Sequence, residues 1–246
     1  MEDNKLFETP EGTPQGGIIS PILANIYLHY SLDLWFEKVV RKRCKGHAYM
    51  IRYADDFVCC FEYESEARMF YQALILRLKE FNLEVAEDKT KVLKFGRKVL
   101  EESIKLGKYK PETFEFLGFT HYCGRSKDGW FRVKRKTSKK KFRVSLLNFK
   151  LWLKNNRHMY TAELMKKLET KLNGYYRYYG ITDNGKSLEN FREEIRKYLF
   201  KWLNRRSQKK SFNWDKFVLF LKQYPIPRPK IYVNIYNIRS EISYIM

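Results

Sequence analysis

The sequence predicts an α+β fold, a small antiparallel sheet with helices on one face followed by an all-α module. Three observations carry this reading. In the first half, short runs of β-prone apolar residues alternate with amphipathic helical stretches. From Ser138 onward only helical spacing remains, and the texture turns to Lys, Arg, Tyr and Trp. Charge divides the same way: residues 1–120 carry 18 basic and 19 acidic side chains, net −1, and residues 121–246 carry 31 and 9, net +22. Two modules follow, with domains assigned to 1–135 and 136–246.

The elements read in order as follows. Gly12-Thr13-Pro14-Gln15-Gly16-Gly17 concentrates two breaker types and is a loop. Ser20-Pro21 reads as an N-cap followed by a proline at the first helical position. The helix it opens carries Ile22, Ile26, Tyr30 and Leu34 on one face and runs to about Val40. Tyr49 to Tyr53 and Phe57 to Phe61 flank Ala54-Asp55-Asp56, which predicts a hairpin with an acidic tip. Glu64 to Phe81 is a second amphipathic helix. Leu83-Glu84-Val85 and Lys91-Val92-Leu93 read as short strands around Glu87 to Thr90. Phe114 to Phe119 alternates around a glycine break, and Gly124 to Val133 is its expected partner strand. Helices are expected over 138–154, 161–179, 187–204 and 213–223, the last stopped by Pro225, Pro227 and Pro229.

Composition narrows the function. With 44% apolar and 17% aromatic residues the chain can bury a core. A net charge of +21 calls for a polyanionic partner, nucleic acid or an anionic surface. No apolar run reaches the roughly 18 residues that span a bilayer, so no membrane partner is expected. Cys44, Cys59, Cys60 and Cys123 form no C-x-x-C pair, and the neighbours Cys59 and Cys60 are read as reduced core thiols. Asp55-Asp56 is the sharpest chemical signal, because Mg2+ takes hard oxygen ligands and one or two carboxylates plus substrate phosphates complete a site. An isolated Asp-Asp is more often only a good turn. Here it follows a glycine-rich loop by about forty residues.

That combination resembles the reverse transcriptases encoded by group II introns, the intron-encoded maturases. The resemblance rests on Gly12 to Leu28, on Arg52-Tyr53-Ala54-Asp55-Asp56-Phe57, on Glu87-Asp88-Lys89-Thr90-Lys91, on Phe114-Glu115-Phe116-Leu117-Gly118-Phe119, and on Gly174-Tyr175-Tyr176-Arg177-Tyr178-Tyr179, in that order. It implies a partial polymerase palm followed by an α-helical thumb. It also implies an RNA-directed DNA polymerase that joins deoxynucleoside triphosphates to a DNA primer on an RNA template. Carried over, Asp55 and Asp56 are the Mg2+ ligands and catalytic carboxylates, and Lys89 steadies or protonates the leaving pyrophosphate. Pro14, Gln15 and Gly16 line the nucleotide and template. Phe116, Leu117 and Gly118 form the primer grip, which aligns the 3′ hydroxyl.

One departure bears on activity. Palms of this type take a further aspartate from a strand well before the glycine-rich loop, and Asp3 alone precedes Gly12, in a polar context. The expectation is a C-terminal portion, lacking fingers and the first palm strand, that is inactive alone unless a separate N-terminal portion completes it. The scattered histidines and the short tail imply no endonuclease domain.

The basic half is the second constellation. Lys134-Arg135-Lys136, Lys139-Lys140-Lys141 and Arg143 place seven cations within ten residues, with Tyr175, Tyr176 and Arg177 further on. Cations interleaved with aromatics suit structured or single-stranded RNA, and the resemblance names group II intron RNA as the partner. The expected role is intron RNA binding and splicing assistance, in a cytoplasmic (bacterial or organellar), nucleic-acid-associated setting. Two alternatives stay open: a non-catalytic maturase-type RNA-binding module, and a defence-associated relative of the same fold.

Overall fold

A computed structural model describes residues 17–107, 110–207 and 212–237. The chain forms an α+β protein of two compact units, Met1–Lys94 and Phe95–Met246. The boundary read from charge, 135/136, falls inside the second unit, where its sheet meets its first long helix.

In the first unit, α1 (Ser20–Leu28) continues through π-helical turns at His29–Asp33 and Phe36–Val40 into α2 (Arg41–Arg43). Ile19, not Ser20, takes the cap position. The π turns also change which face is buried. Wider turns break the i, i+4 phase, so Leu32 and Phe36 are fully buried, whereas Ile22, Ile26 and Tyr30 of the expected stripe are 52–61% exposed. Strands β1 (Ala48–Tyr53) and β2 (Asp56–Phe61) form the predicted antiparallel hairpin, with Tyr53 opposite Asp56. Helix α3 (Glu64–Lys79) lays Phe70, Leu74 and Leu78 against one face of it, completing a core with Leu32, Phe36 and Ala48. The hairpin's other face carries Tyr49, Ile51 and Tyr53, all more than half exposed. No strand forms at residues 83–85 or 91–93. Leu83 and Val85 instead pack on this core, and a turn follows at Glu87.

The second unit opens with α4 (Arg97–Leu106), an element not anticipated from the sequence. Strands β3 (Phe114–Phe116), β4 (Phe119–Arg125) and β5 (Phe131–Thr137) form an antiparallel sheet in the order β3-β4-β5. The glycine break expected within one strand is thus a two-residue hairpin turn at Leu117-Gly118. Helices α5 (Lys139–Asn155), α6 (Thr161–Tyr179), α7 (Gly185–Leu203) and α8 (Trp214–Gln223) lie close to their predicted bounds. Leu164, Leu168, Leu172 and Tyr176 on α6, with Leu188, Phe191, Ile195 and Leu199 on α7, recur every three or four residues and are essentially buried. Tyr175 stacks on Phe191 with centroids 3.8 Å apart.

A buried amide ties the sheet to the bundle. The Asn184 carbonyl accepts from the Thr137 N–H at 2.8 Å, and its amide donates to the Thr137 hydroxyl and the Tyr179 carbonyl, both at 2.8 Å. After the prolines the chain returns to this turn. Tyr232 N–H donates to the Gly180 carbonyl at 2.7 Å and Thr182 N–H to the Val233 carbonyl at 3.1 Å. Gly180 permits the approach, since a β-carbon there would stand 2.3 Å from the Tyr176 carbonyl oxygen and 2.5 Å from that of Lys230.

Candidate active site and nucleic-acid surface

The acidic tip of the β1–β2 hairpin turns on Ala54, whose φ of 55° lies in the left-handed region. Asp55 sits at the turn and Asp56 begins β2, and both are exposed. By strand register Asp56 shares the solvent face with Tyr53 and Ile51, opposite the face that packs on α3. Among the described residues neither carboxylate has a salt-bridge partner.

The reason lies three residues before Asp55. Arg52 is the nearest cation in sequence, and it is turned away into a bidentate pair with Asp33, at 2.7 Å from Nε and 2.5 Å from Nη2. Its Nη1 donates to Asn25 Oδ1 and to the Ala54 carbonyl, each at 2.9 Å, which pins the turn. The hydrogen bond from Arg52 is the main influence holding the Asp33 carboxyl below the usual carboxylate range. Arg52 is therefore neutralised locally and the two tip carboxylates are left with uncompensated charge. Two unpaired hard-oxygen donors on a fixed turn fit a divalent cation such as Mg2+, as part of a ligand set that substrate phosphates and water complete. Asp33 and Asn25 escaped the sequence reading because π-helical turns, invisible in a 3.6-residue period, put Asp33 opposite Arg52.

Lys89 lies in the same unit, on the turn after Asp88, where its N–H donates to the Ala86 carbonyl at 3.0 Å. Its side chain is exposed and has no ion-pair partner among the described residues. Pro14, Gln15 and Gly16 lie outside the described residues. The thiols divide: burial pushes Cys59 up to about 12, whereas Cys60 lies on the exposed face, against the expectation that both are buried.

In the second unit, Leu117 and Gly118 make the β3–β4 turn with φ of 49° and 76°. Phe116, partly buried, pairs with Phe119 across it. The turn is tied down twice: Tyr178 Oη donates to the Leu117 carbonyl at 3.1 Å, and Ser138 N–H to the Gly118 carbonyl at 2.9 Å. Ser138 also caps α5, its hydroxyl accepting from the Lys141 N–H.

Strand pleating sorts the basic cluster. Lys134 and Lys136 share one face of β5, and Arg135 lies on the other, donating to the Val133 carbonyl. Arg132 replaces it beside Lys134, a residue that alternation alone identifies. Lys139, Lys140, Lys141 and Arg143 are exposed over the first turns of α5, with no acidic residue in the first turn. Cations at that end oppose the helix dipole, a cost that a bound polyanion relieves. Tyr175 and Tyr176 are 8% and 0% exposed, so they serve the core and do not stack on bases; Arg177 and Tyr178 hold the outward face of α6.

Against this geometry, comparison with known families gives two consecutive matches. Residues 2–121 match the reverse transcriptase (RNA-dependent DNA polymerase) family, and residues 132–218 match the group II intron maturase-specific domain. Comparison with curated proteins gave no match. The first match takes in Asp55, Asp56, Lys89 and the β3–β4 turn, and the second takes in the cation-rich helices. Found in this order in one polypeptide, the two place it: the chain belongs to the reverse transcriptase/maturases encoded by group II introns.

Proposed function

We propose that this chain binds group II intron RNA through its basic half and contributes the Asp55–Asp56 pair to a metal-dependent nucleotidyl-transfer site. The observation that carries the proposal is the pair of tip carboxylates left unpaired while Arg52, beside them, is consumed by Asp33. Magnesium ions bound at such a seat supply Lewis-acid clamping of the attacking and leaving oxygens in phosphoryl transfer. The chain's own residues then have distinct tasks. Asp55 and Asp56 hold charge at the tip, Arg52 fixes the turn, and exposed Lys89 meets the leaving phosphates. Phe116, Leu117 and Gly118 steady the primer end, with RNA template and deoxynucleoside triphosphates as the other partners. Two carboxylates form part of a larger ligand set, so the chain alone is expected to bind RNA while extending a primer poorly.

A second role, assistance in folding intron RNA for splicing, is favoured by the three lysines at the unfavourable end of α5. One experiment addresses both. Primer extension, intron splicing and RNA binding are measured for the wild type, for Asp55→Ala/Asp56→Ala, and for Lys139→Ala/Lys140→Ala/Lys141→Ala, with the N-terminal palm portion of a relative supplied in trans where extension is scored. The aspartate variant is expected to lose extension and keep RNA affinity and splicing. The lysine variant is expected to lose affinity, with the salt slope of binding falling by about 2–3. Extension that survives loss of both aspartates refutes the site, and an unchanged salt slope refutes the lysine surface.

A further inference from the structure

A polar cleft lies wholly within the C-terminal unit. It has a volume of about 530 Å³, lined by side chains of the β4–β5 turn, of β5, of the α6–α7 turn and of the returning segment Tyr232–Tyr236. That is within the range of small-ligand pockets, roughly 300–1,000 Å³.

Its walls are fixed by the backbone bonds that bring the returning chain to Gly180 and Thr182. To these Ile235 N–H adds a bond to the Thr182 hydroxyl at 3.1 Å. Its chemistry is mixed in a specific way. Arg132 and Lys134 line it from one face of β5, and neither has a salt-bridge partner among the described residues. Lys136 continues the same face, so the three cations repeat every two residues, about 6.8 Å apart along the strand. The Arg132 guanidinium lies 4.0 Å from the centre of the Tyr236 ring. Beside these cations and Lys127 stand two carboxylates, Asp128 on the β4–β5 turn and Asp183, and neither pairs with a cation among the described residues; of the two, Asp183 is the one fixed by a hydrogen bond. Asp183 accepts from Tyr236 Oη at 2.6 Å through Oδ2, and its backbone is held at a φ of 74°, a left-handed conformation that costs energy for a non-glycine residue. The fully buried Asn184, bonded on three sides, keeps it there.

A cationic track explains phosphate binding and leaves the carboxylate unexplained. Asp183 repels phosphate, and it is an acceptor only, with lone pairs to spare beyond the Tyr236 bond. What satisfies both halves is a strand whose phosphates lie on the cations and whose base offers donors. Guanine is the one base with two adjacent donors, N1–H and N2–H2, on its pairing edge, the complement of a carboxylate.

We propose that this cleft seats an unpaired guanosine of the bound RNA, its flanking phosphates on Arg132 and Lys134 and its base edge on Asp183. The proposal rests on the reading that the basic half binds RNA and adds a base preference to it. The test is fluorescence anisotropy with the full chain and labelled 11-nucleotide RNAs that are all uridine except for a central G, A, C or U. The wild type is expected to bind the G probe about fivefold or more tightly than the other three, the lower end for a bidentate base contact. Asp183→Asn suits the left-handed backbone, and its amide presents donors to donors. It is expected to abolish that preference and leave affinity for the uridine probe unchanged or slightly raised. Arg132→Gln/Lys134→Gln is expected to weaken all four probes and lower the salt slope by about 1.4. Thermal unfolding of each variant checks that the cleft is intact. Equal binding of all four probes by the wild type, or a G preference that survives Asp183→Asn, overturns the guanosine site while RNA binding stands. Failure of every probe to bind overturns the RNA-binding reading as well.

Discussion

Replacing Asp33 with Asn isolates the electrostatic arrangement behind the hairpin tip. The change keeps the side chain's shape and removes one charge from a pair in which Arg52 is 12% and Asp33 24% exposed. Arg52 stays within hydrogen-bond reach of the Ala54 carbonyl, and its unneutralised charge is taken as about 10 Å from a divalent ion held by Asp55. Against a divalent ion at that distance in a water-like dielectric the repulsion is about 0.8 kcal/mol, close to a fourfold loss of Mg2+ affinity, and salt reduces it. Loss of the bidentate pair itself is expected to cost about 2 kcal/mol of stability. The Asp33 carboxyl titrates below its usual range when folded. Its contribution is therefore complete above the ordinary carboxylate pKa and disappears as pH falls through the folded value, so both measurements belong near pH 7. Terbium luminescence sensitised by Tyr53 and competed with Mg2+ reads the affinity, and urea unfolding reads the stability. The double variant Asp33→Asn/Arg52→Gln removes the freed cation and is expected to recover the Mg2+ midpoint. If the double variant binds Mg2+ as weakly as Asp33→Asn, the loss comes from a disordered turn and the electrostatic reasoning fails.

Two further expectations concern the second unit. His121 is held below its ordinary pKa of 6.5, first by burial and then by Arg135, so protonation disfavours the folded state. Stability should be flat above pH 6.5 and fall as pH drops below it, by at most about 1.4 kcal/mol per pH unit for one proton; His121→Phe should flatten that limb in urea unfolding followed from pH 7.5 to 4.5. Leu117 occupies a left-handed position where Asn is far better suited. Leu117→Asn should stabilise the chain by about 1 kcal/mol and weaken engagement of a primer–template duplex. A variant that gains stability and binds the duplex unchanged would mean that the leucine has no role at the primer end.

What the sequence revealed depended on whether a local pattern settled the outcome. The bundle helices were legible to within two residues because each carries an apolar stripe at regular helical spacing, as at Leu164, Leu168, Leu172 and Tyr176. The hairpin was legible because its two β-prone runs meet at a two-residue turn. The first helix was misphased because π turns contribute nothing to the sequence pattern, and that phase decides which side chain reaches Arg52. Helix α4 was overlooked although Gly96 and Gly107 bracket it. The strands expected at 83–85 and 91–93 did not form: each run has two apolar residues, and Leu83 and Val85 pack on the core without a partner edge.

The same distinction governs the basic half. Composition finds a polyanion-binding module, since net charge adds up whatever the fold, but it cannot say which cations act together. Lys134-Arg135-Lys136 is a cluster in sequence and two separate surfaces in the sheet, because a strand sends neighbours to opposite faces. Arg132, Lys134 and Lys136 share one face, with Tyr236 beside Arg132 and Tyr122 beside Lys136. Tyr175-Tyr176 reverses the error: an aromatic pair beside Arg177 reads as a stacking platform, yet helical phase buries both rings in the core, where Tyr175 stacks on Phe191. In a protein this cationic, phosphate contacts supply affinity and carry no base preference of their own. Selectivity must then come from the residue that breaks the charge pattern. In the C-terminal unit that part is proposed for Asp183, a carboxylate among cations in a left-handed backbone conformation, next in sequence to the buried Asn184 that is bonded to Thr137 and Tyr179.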